Sequence, residues 1–457
     1  MGNQYDVVIV GAGTAGSYAA YLLAKNGFSV AVVERKRVDD IFKVTGDAIG
    51  SHHVETLGLT LDAGVAMIHY KGADVYSPDM SVRYRVMGEG YGLDMSKWGP
   101  WLAKQAVNNG ATIHERFSVS SPILDNGRVA GVKASSEDGH GQIDVLGKIV
   151  IDASGATGVV RSRLPYNWLI SEPLLPEDAS YAYREIIEVD HDIEEPEFIK
   201  IYLDNNISPG GYWWLFPKSR NTMNIGLGIW GKLVKEKGLN PRQNYEKYLL
   251  NTKYTSGRRV IHSGGGIVPT RRPLKSMVGP SILAIGDAAV AVNPVHGGGL
   301  GPALESAKLA SDTVAAAFER GDLSMTGLWS YNVSYLKTYG IKQAKLDVFR
   351  LMLQSLTDDE INKGLRARIL TEDDVLEISI KGSMSISATR RVRAAAKLLS
   401  VPSLAKKLVT ALSYMKTIGA IYEKYPNDPS GIDKWNIELI SKYNEYRKKL
   451  GLPMMVA

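Results

Sequence analysis

The chain's fold is most tightly constrained at its start, in YDVVIVGAGTAGSYAAYLLAKNGFSVAVVER, residues 5–35. Asp6 to Val10 is a short β-branched run of the kind buried on both faces of a parallel sheet. Gly11, Gly13 and Gly16 then form GxGxxG. The first permits a tight turn, the second lets backbone approach a pyrophosphate, and the third lets a helix pack on the strand. Ala15, Ser17, Ala19 and Ala20 continue a helix whose positive N-terminus would face phosphates. Phe28 to Val33 reads as the second strand, and Glu34 ends it about twenty residues past the glycines, where a carboxylate accepts hydrogen bonds from an adenosine ribose. An acid there favours an unphosphorylated ribose, so NAD or FAD before NADP. A lone glycine triplet is weak; this one, framed by strand, helix, strand and acid, predicts a dinucleotide-binding βαβ unit.

At 457 residues the chain has room for about two or three domains. No apolar run is long enough to span a bilayer, and no signal-type segment precedes the first strand, so a cytoplasmic protein is expected. The absence of cysteine excludes disulfides, thiolate catalysis and cysteine metal sites. A net charge of +6 suits an anionic partner, but it is spread along the chain, and nucleic acid is not expected.

Two further strands end in glycine turns. KIVIDASGATGVVRSRL carries Asp152, and PSILAIGDAAVAVNPVHGGGLGPALESAKLA carries Asp287 before a helix starting near Gly301. A carboxylate such as Asp287 can hold the hydroxyls of a ribityl chain. Gly298 and Gly299, at the helix N-terminus, would stabilise negative charge at the pyrimidine edge of a reduced flavin. The three segments in this order resemble the FAD-binding domain of glutathione-reductase-type flavoproteins, in the branch of the aromatic hydroxylases. The resemblance implies FAD as cofactor. There is no second GxGxxG, so a dedicated nicotinamide domain is not expected, and NAD(P)H and ferredoxin both stand as electron donors.

SPGGYWWLFPK, residues 208–218, sharpens this reading. Tyr212-x-Trp214-x-Phe216-Pro217 followed by Gly226-x-Gly228 resembles the YxWxFP…GxG motif of the geranylgeranyl reductases. YREI (183–186), GGGIVPTRRPL (264–274), NPVHGGG (293–299) and YPNDPS (425–430) resemble the archaeal members. The resemblance implies an α/β fold: an FAD-binding domain from residues 1–79, 101–160 and 265–320, an inserted antiparallel-sheet substrate domain from 80–100 and 161–264, and a helical C-terminal domain from 321–457. It also implies FAD-dependent reduction of isolated double bonds in polyprenyl lipids or prenyl diphosphates. A flavin monooxygenase or halogenase of the same fold, and a non-catalytic prenyl-lipid binder, are the competing readings.

Two positions depart from the family. Its Pro-Cys-Gly-Asp stretch, whose cysteine lies near the flavin, reads Val44-Thr45-Gly46-Asp47 here. The resemblance thus places Gly46 and Asp47 at the cofactor and leaves Thr45 where a thiol would be. A hydroxyl is far too weak an acid to replace a thiol of pKa about 8.5. Trp101 stands where related flavoproteins place an arginine that helps hold the cofactor.

Strand alternation puts Tyr212, Trp214 and Phe216 on one face and Trp213 on the other. A hairpin symmetric about Arg220 sets Gly226 opposite Trp214 and Gly228 opposite Tyr212, leaving a slot for a prenyl chain. Candidate proton donors are Tyr212, His296 and a water held by Thr45; His52 and His53 read as solvent-facing. Arg271 and Arg272 read as a phosphate anchor or as a solvated pair. Residues 397–425 form a basic amphipathic segment, with Leu404, Leu408, Met415, Ile418 and Tyr422 apolar, suited either to packing on the protein or to an anionic membrane surface, which would make the protein peripheral.

Overall fold

The computed structural model describes residues 4–139, 141–382 and 401–455. The opening stretch forms the strand Tyr5–Val10, the helix Thr14–Lys25 and the strand Val30–Glu34, as its pattern predicts. Val7, Val8, Ile9 and Val30 to Val33 are all but inaccessible to water, which explains their unbroken apolar character. The parallel core of this first sheet runs in the order Thr112–Glu115, Val30–Glu34, Tyr5–Val10, Gln142–Asp152, Ile282–Ala284. An antiparallel meander, Phe117–Asp125 and Arg128–Ser136, extends from Gln142–Asp152. The carboxyl ends of the central strands carry the Gly11, Asp152 and Asp287 turns, so the three glycine segments converge on one edge.

The second sheet has eight strands in the order Arg259–Val268, Ser180–Glu188, Thr222–Trp230, Tyr212–Pro217, Phe198–Tyr202, Ala66–Tyr76, Arg83–Leu93, Ala48–Gly50. It takes more of the chain than residues 80–100 and 161–264. Ala48–Gly50 and Ala66–Tyr76 also belong to it, because each pairs with Arg83–Leu93. The boundary was hidden because only short elements, Val38–Asp40, Ala48–Gly50 and Ser51–Thr56, separate the first unit from Ala66–Tyr76. One face of this sheet closes a local core of Trp213, Leu215, Ile225 and Leu227 with Tyr245 of the helix Pro241–Tyr248. The other face meets the first sheet's loops.

From Leu300–Arg320 onward the chain is helical. That helix packs on Thr14–Lys25. Helix Pro402–Tyr422 lies against Ile341–Leu353, and its Leu404, Leu408, Met415, Ile418 and Tyr422 are all buried. The apolar face of the amphipathic segment is therefore spent on the protein and is not available to a membrane; residues 397–400 of that segment lie outside the described residues. No helix among the described residues is long and apolar enough to cross a membrane.

Arg271 and Arg272 are neither a phosphate anchor nor a solvated pair. Both are buried, 2% and 4% exposed, and both bind Glu172; Arg271 also reaches Asp178 at 3.0 Å. Burial alone would raise the Glu172 pKa, but the two guanidinium groups and the Lys275 N–H outweigh it and hold the carboxylate well below its ordinary range. Its stabilising contribution is thus complete above about its ordinary value of 4.5 and is lost as pH falls through the lower folded value. Glu172→Gln is expected to destabilise the fold by about 3–5 kcal/mol in chemical denaturation at neutral pH. Below pH 4.5 the gap between variant and parent should narrow.

Candidate functional site

The dinucleotide end is built as its glycines require. Gly11 has φ +94°, and a Cβ on Gly16 would fall 1.9 Å from the Gly11 carbonyl oxygen, so helix and strand meet backbone to backbone. Gly13 precedes the first helical residue, and nothing lies within 4 Å of where its Cβ would be. Glu34 is buried and accepts the Ala12 N–H at 2.7 Å and the Lys36 N–H at 2.9 Å, fastening the glycine turn to the second strand. Trp98 donates its indole N–H to Thr14 Oγ1 at 3.0 Å. The neighbouring Trp101, 5.4 Å away by ring centroid, has a buried Nε1 with no partner among the described residues. An open cradle, an uncapped helix start and an orphaned donor fit a bound dinucleotide pyrophosphate. Farther along, Asp287 pairs with Lys43 at 2.5 Å, and Gly298 and Gly299 immediately precede the helix Leu300–Arg320. Val290 holds φ +54° in the same loop, a strained position for a β-branched residue.

The hairpin register is the expected one: Tyr212 opposes Gly228, and Trp214 opposes Gly226. The slot is smaller than alternation suggested. A Cβ on Gly226 would lie 2.4 Å from Arg184 Cβ and 2.7 Å from Trp214 Cζ2, so that space is filled by the Trp214 ring and Arg184. At Gly228 nothing lies within 4 Å, and the free space beside Tyr212 is there. Phe216 packs on Gly46, with 3.0 Å between its ring and the position of a Cβ.

The Thr45–Asp47 turn is clamped onto this aromatic face. Asp47 sits at φ +60° and is 2% exposed. Its Oδ2 accepts from Lys218 Nζ at 3.0 Å and from Asn224 Nδ2 at 3.0 Å. Its Oδ1 accepts the Thr45 hydroxyl at 2.8 Å, and its own N–H donates back to Thr45 Oγ1 at 2.8 Å. The Asp47 carboxylate is thus engaged by the second sheet and its own turn. The Thr45 proton is committed to Asp47, so the hydroxyl cannot donate to a water. Asn224 links outward as well: its Nδ2 donates to the Thr45 carbonyl at 2.9 Å, and its Oδ1 accepts the Trp214 indole N–H at 2.9 Å. Arg184 Nε donates to the same carbonyl at 3.3 Å, and Arg184 Nη1 lies 2.8 Å from His262 Nδ1. Lys218, Asn224 and Arg184 were not anticipated. Asn224 carried a signal, a polar residue in the largely apolar strand Thr222–Trp230; Lys218 in the turn and Arg184 in the polar strand Ser180–Glu188 carried none.

Tyr212 donates its hydroxyl to the His296 carbonyl at 2.5 Å, and burial pushes its pKa up to about 12. His296 Nδ1 accepts the Gly298 N–H at 3.1 Å, which leaves the ring proton on Nε2. By area the residue is exposed, yet the surrounding chain desolvates its ring. Desolvation there, with the Lys342 and His53 charges adding, pulls its pKa down to about 4. A neutral imidazole bonded to its own loop is a poor acid at neutral pH. His52 is exposed as expected, but His53 is not: its Nδ1 lies 2.7 Å from Glu305, and its ring covers Gly301.

Residues 178–268 match the geranylgeranyl reductase catalytic domain, and residues 9–38 match an NAD(P)-binding Rossmann-like domain. The first span contains the whole aromatic hairpin and Arg184. Among solved structures, a geranylgeranyl bacteriochlorophyll reductase-like protein from Thermoplasma acidophilum superimposes with a TM-score of 0.75 at 24% identity, covering 90% of this chain and 99% of that one. A myxobacterial chondrochloren halogenase, FAD-dependent, superimposes at 0.63 with 16% identity, over 87% and 97%. Both likenesses establish a flavoprotein fold. In sequence, the chain is 38% identical to the digeranylgeranylglycerophospholipid reductase of Sulfolobus acidocaldarius over 98% of its own length and 99% of that protein's. It is 31% identical to reductase 2 of Methanopyrus kandleri, over 85% and 96%. With the glycine cradle and the aromatic hairpin in place, the chain belongs to the digeranylgeranylglycerophospholipid reductase family.

Proposed function

We propose that the protein is an FAD-dependent reductase that saturates isolated double bonds in geranylgeranyl chains of ether lipids or prenyl diphosphates. The observation that supports this most is the near full-length similarity to the Sulfolobus reductase, with the aromatic hairpin inside the catalytic-domain match. FAD bound at the Gly11–Gly16 turn, with Asp287 and the Gly298–Gly299 helix start at its other end, would supply the hydride.

The chain's own residues supply a dry, shaped surface. An unactivated alkene needs close positioning, exclusion of water and a proton source. Trp214 is locked by Asn224 and walls the site, while the open space at Gly228 receives the prenyl chain beside Tyr212. Thr45 replaces the cysteine that the resemblance implies, and its proton is held by Asp47. His296 is neutral above pH 5, given its lowered pKa. In this reading Tyr212 leaves its bond to the His296 carbonyl and passes on its own proton as it accepts one from water, so that no free phenolate forms from a group whose pKa burial pushes up to about 12. Substrates in the inner face of a membrane belong to the same proposal, although the Pro402–Tyr422 helix does not supply the contact.

Anaerobic incubation with dithionite and geranylgeranyl diphosphate, read by mass spectrometry, should give products heavier in steps of two hydrogens. Peroxide or hydroxylated product under air with no saturation would favour a monooxygenase or halogenase, and unchanged bound lipid a binding protein. Tyr212→Phe should lower turnover by about 10²-fold or more if the relay operates, whereas His296→Gln should leave the pH–rate profile between pH 6 and 8 unchanged in shape. Gly226→Ala should cost about 1–3 kcal/mol of stability by overpacking. Gly228→Ala should leave stability within about 0.5 kcal/mol and instead raise KM for long prenyl chains.

A further inference from the structure

The polar knot behind the aromatic wall holds more positive than negative charge. Asp47, Lys218 and Arg184 are all at most 4% exposed. Asp47 is matched by Lys218 at 3.0 Å, and no carboxylate among the described residues forms an ion pair with Arg184. A guanidinium stays protonated in proteins, so two cations face one anion, and one positive charge is in excess.

The sheet is built to hold that cation. Arg184 lies between Gly226 on one neighbouring strand and Gly264 on the other, so no side chain flanks it on either side. Its Nε donates to the Thr45 carbonyl at 3.3 Å, and its Nη1 lies 2.8 Å from His262 Nδ1. The Phe42 ring lies 5.4 Å from the guanidinium carbon. All three partners are neutral: burial and the Arg184 charge hold the His262 pKa below its ordinary value, which keeps the imidazole an acceptor. They fix the direction of the guanidinium without cancelling its charge. Its Nη2 is buried and has no hydrogen-bond partner among the described residues. A cation so placed is costly until an anion meets it.

Position indicates which anion. Lys43, two residues before Thr45, pairs with Asp287 at 2.5 Å, and Tyr212, in the same sheet as Arg184, donates to the His296 carbonyl at 2.5 Å. The Thr45 turn, the Arg184 strand and the loop from Asp287 to Gly299 therefore border one space. We propose that Arg184 is the counter-ion for the negative charge that the cofactor acquires on reduction. The inference rests on the reading that the protein binds FAD. Reduction by a low-potential donor brings two electrons to the flavin ring. Two protons would leave the ring neutral, whereas one leaves it with a single negative charge. Arg184 supplies the positive charge that the second proton would otherwise bring.

The test uses the FAD-loaded protein under anaerobic conditions with no prenyl substrate. The midpoint potential, measured against a redox dye between about pH 5.5 and 7, gives the number of protons taken up per two electrons. One proton is expected for the parent, for Arg184→Lys and for His262→Gln, which keeps a neutral acceptor. Two are expected for Arg184→Gln, with a lowered midpoint potential. His262→Glu should do the same at a partly exposed position, because a carboxylate there answers the guanidinium without removing it. Two protons in the parent would overturn the proposal, as would one proton in either FAD-loaded neutralised variant. A parent that changes from one proton to two when chloride is added would assign Arg184 to an inorganic anion instead. Failure of the chain to take up FAD at all would overturn the cofactor reading and this inference together. Saturation of a prenyl chain is read separately by product mass, so the reductase reading does not depend on the proton count.

Discussion

Asp47 is a carboxylate almost wholly removed from water, and the placement of the site depends on how it is satisfied. A buried, unpaired charge would cost several kcal/mol. Here Lys218 and Asn224 reach it from the covering sheet, and Thr45 closes the turn around it. The same Asn224 amide fixes the Trp214 indole. One polar knot therefore sets three things together: the turn facing the flavin region, the aromatic wall, and the separation of the two sheets. Loss of any partner would leave the others buried and unsatisfied, so the knot holds as a unit.

This arrangement also explains how a threonine is tolerated where the family resemblance implies a cysteine. The Thr45 hydroxyl completes a reciprocal pair of hydrogen bonds with Asp47, a structural task that a thiol performs only weakly. Relative to the cysteine that the resemblance implies, threonine would strengthen the turn and remove an acid. Proton supply then falls to Tyr212 and water in the proposed chemistry, with His296 serving its own loop.

Much of this was legible in the chain. The glycine triplet and Glu34 specified the first unit, because backbone approach and a terminal acid leave few alternatives. Period-two alternation was enough to place Trp214 opposite Gly226, since hairpin register follows from turn length. Three matters were not legible. Whether a glycine marks a cavity or a tight contact depends on the strand on its other side, and there Arg184 pairs directly with Gly226. The partners of Arg271 and Arg272 lie about a hundred residues upstream, beyond any local pattern. The helix Pro402–Tyr422 has an apolar stripe that says it will be covered, but not by what; Ile341–Leu353 covers it.

The order of the strands along the chain has a consequence for biosynthesis. The first sheet is not complete until Ile282–Ala284 joins Gln142–Asp152, and nearly all of the second sheet is encoded between those two strands and Tyr5–Val10. At about 5–20 residues per second, the ribosome takes roughly 15–60 s to reach that closing strand. Until then the apolar edge of Gln142–Asp152 has no permanent neighbour on that side. Nascent chains stalled before Val268 carry two unfinished sheets, and those stalled between Val268 and Ile282 still lack the closing strand of the first, so both expose strand edges. The nested strand order thus ties completion of the first sheet to residues translated after the whole of the second.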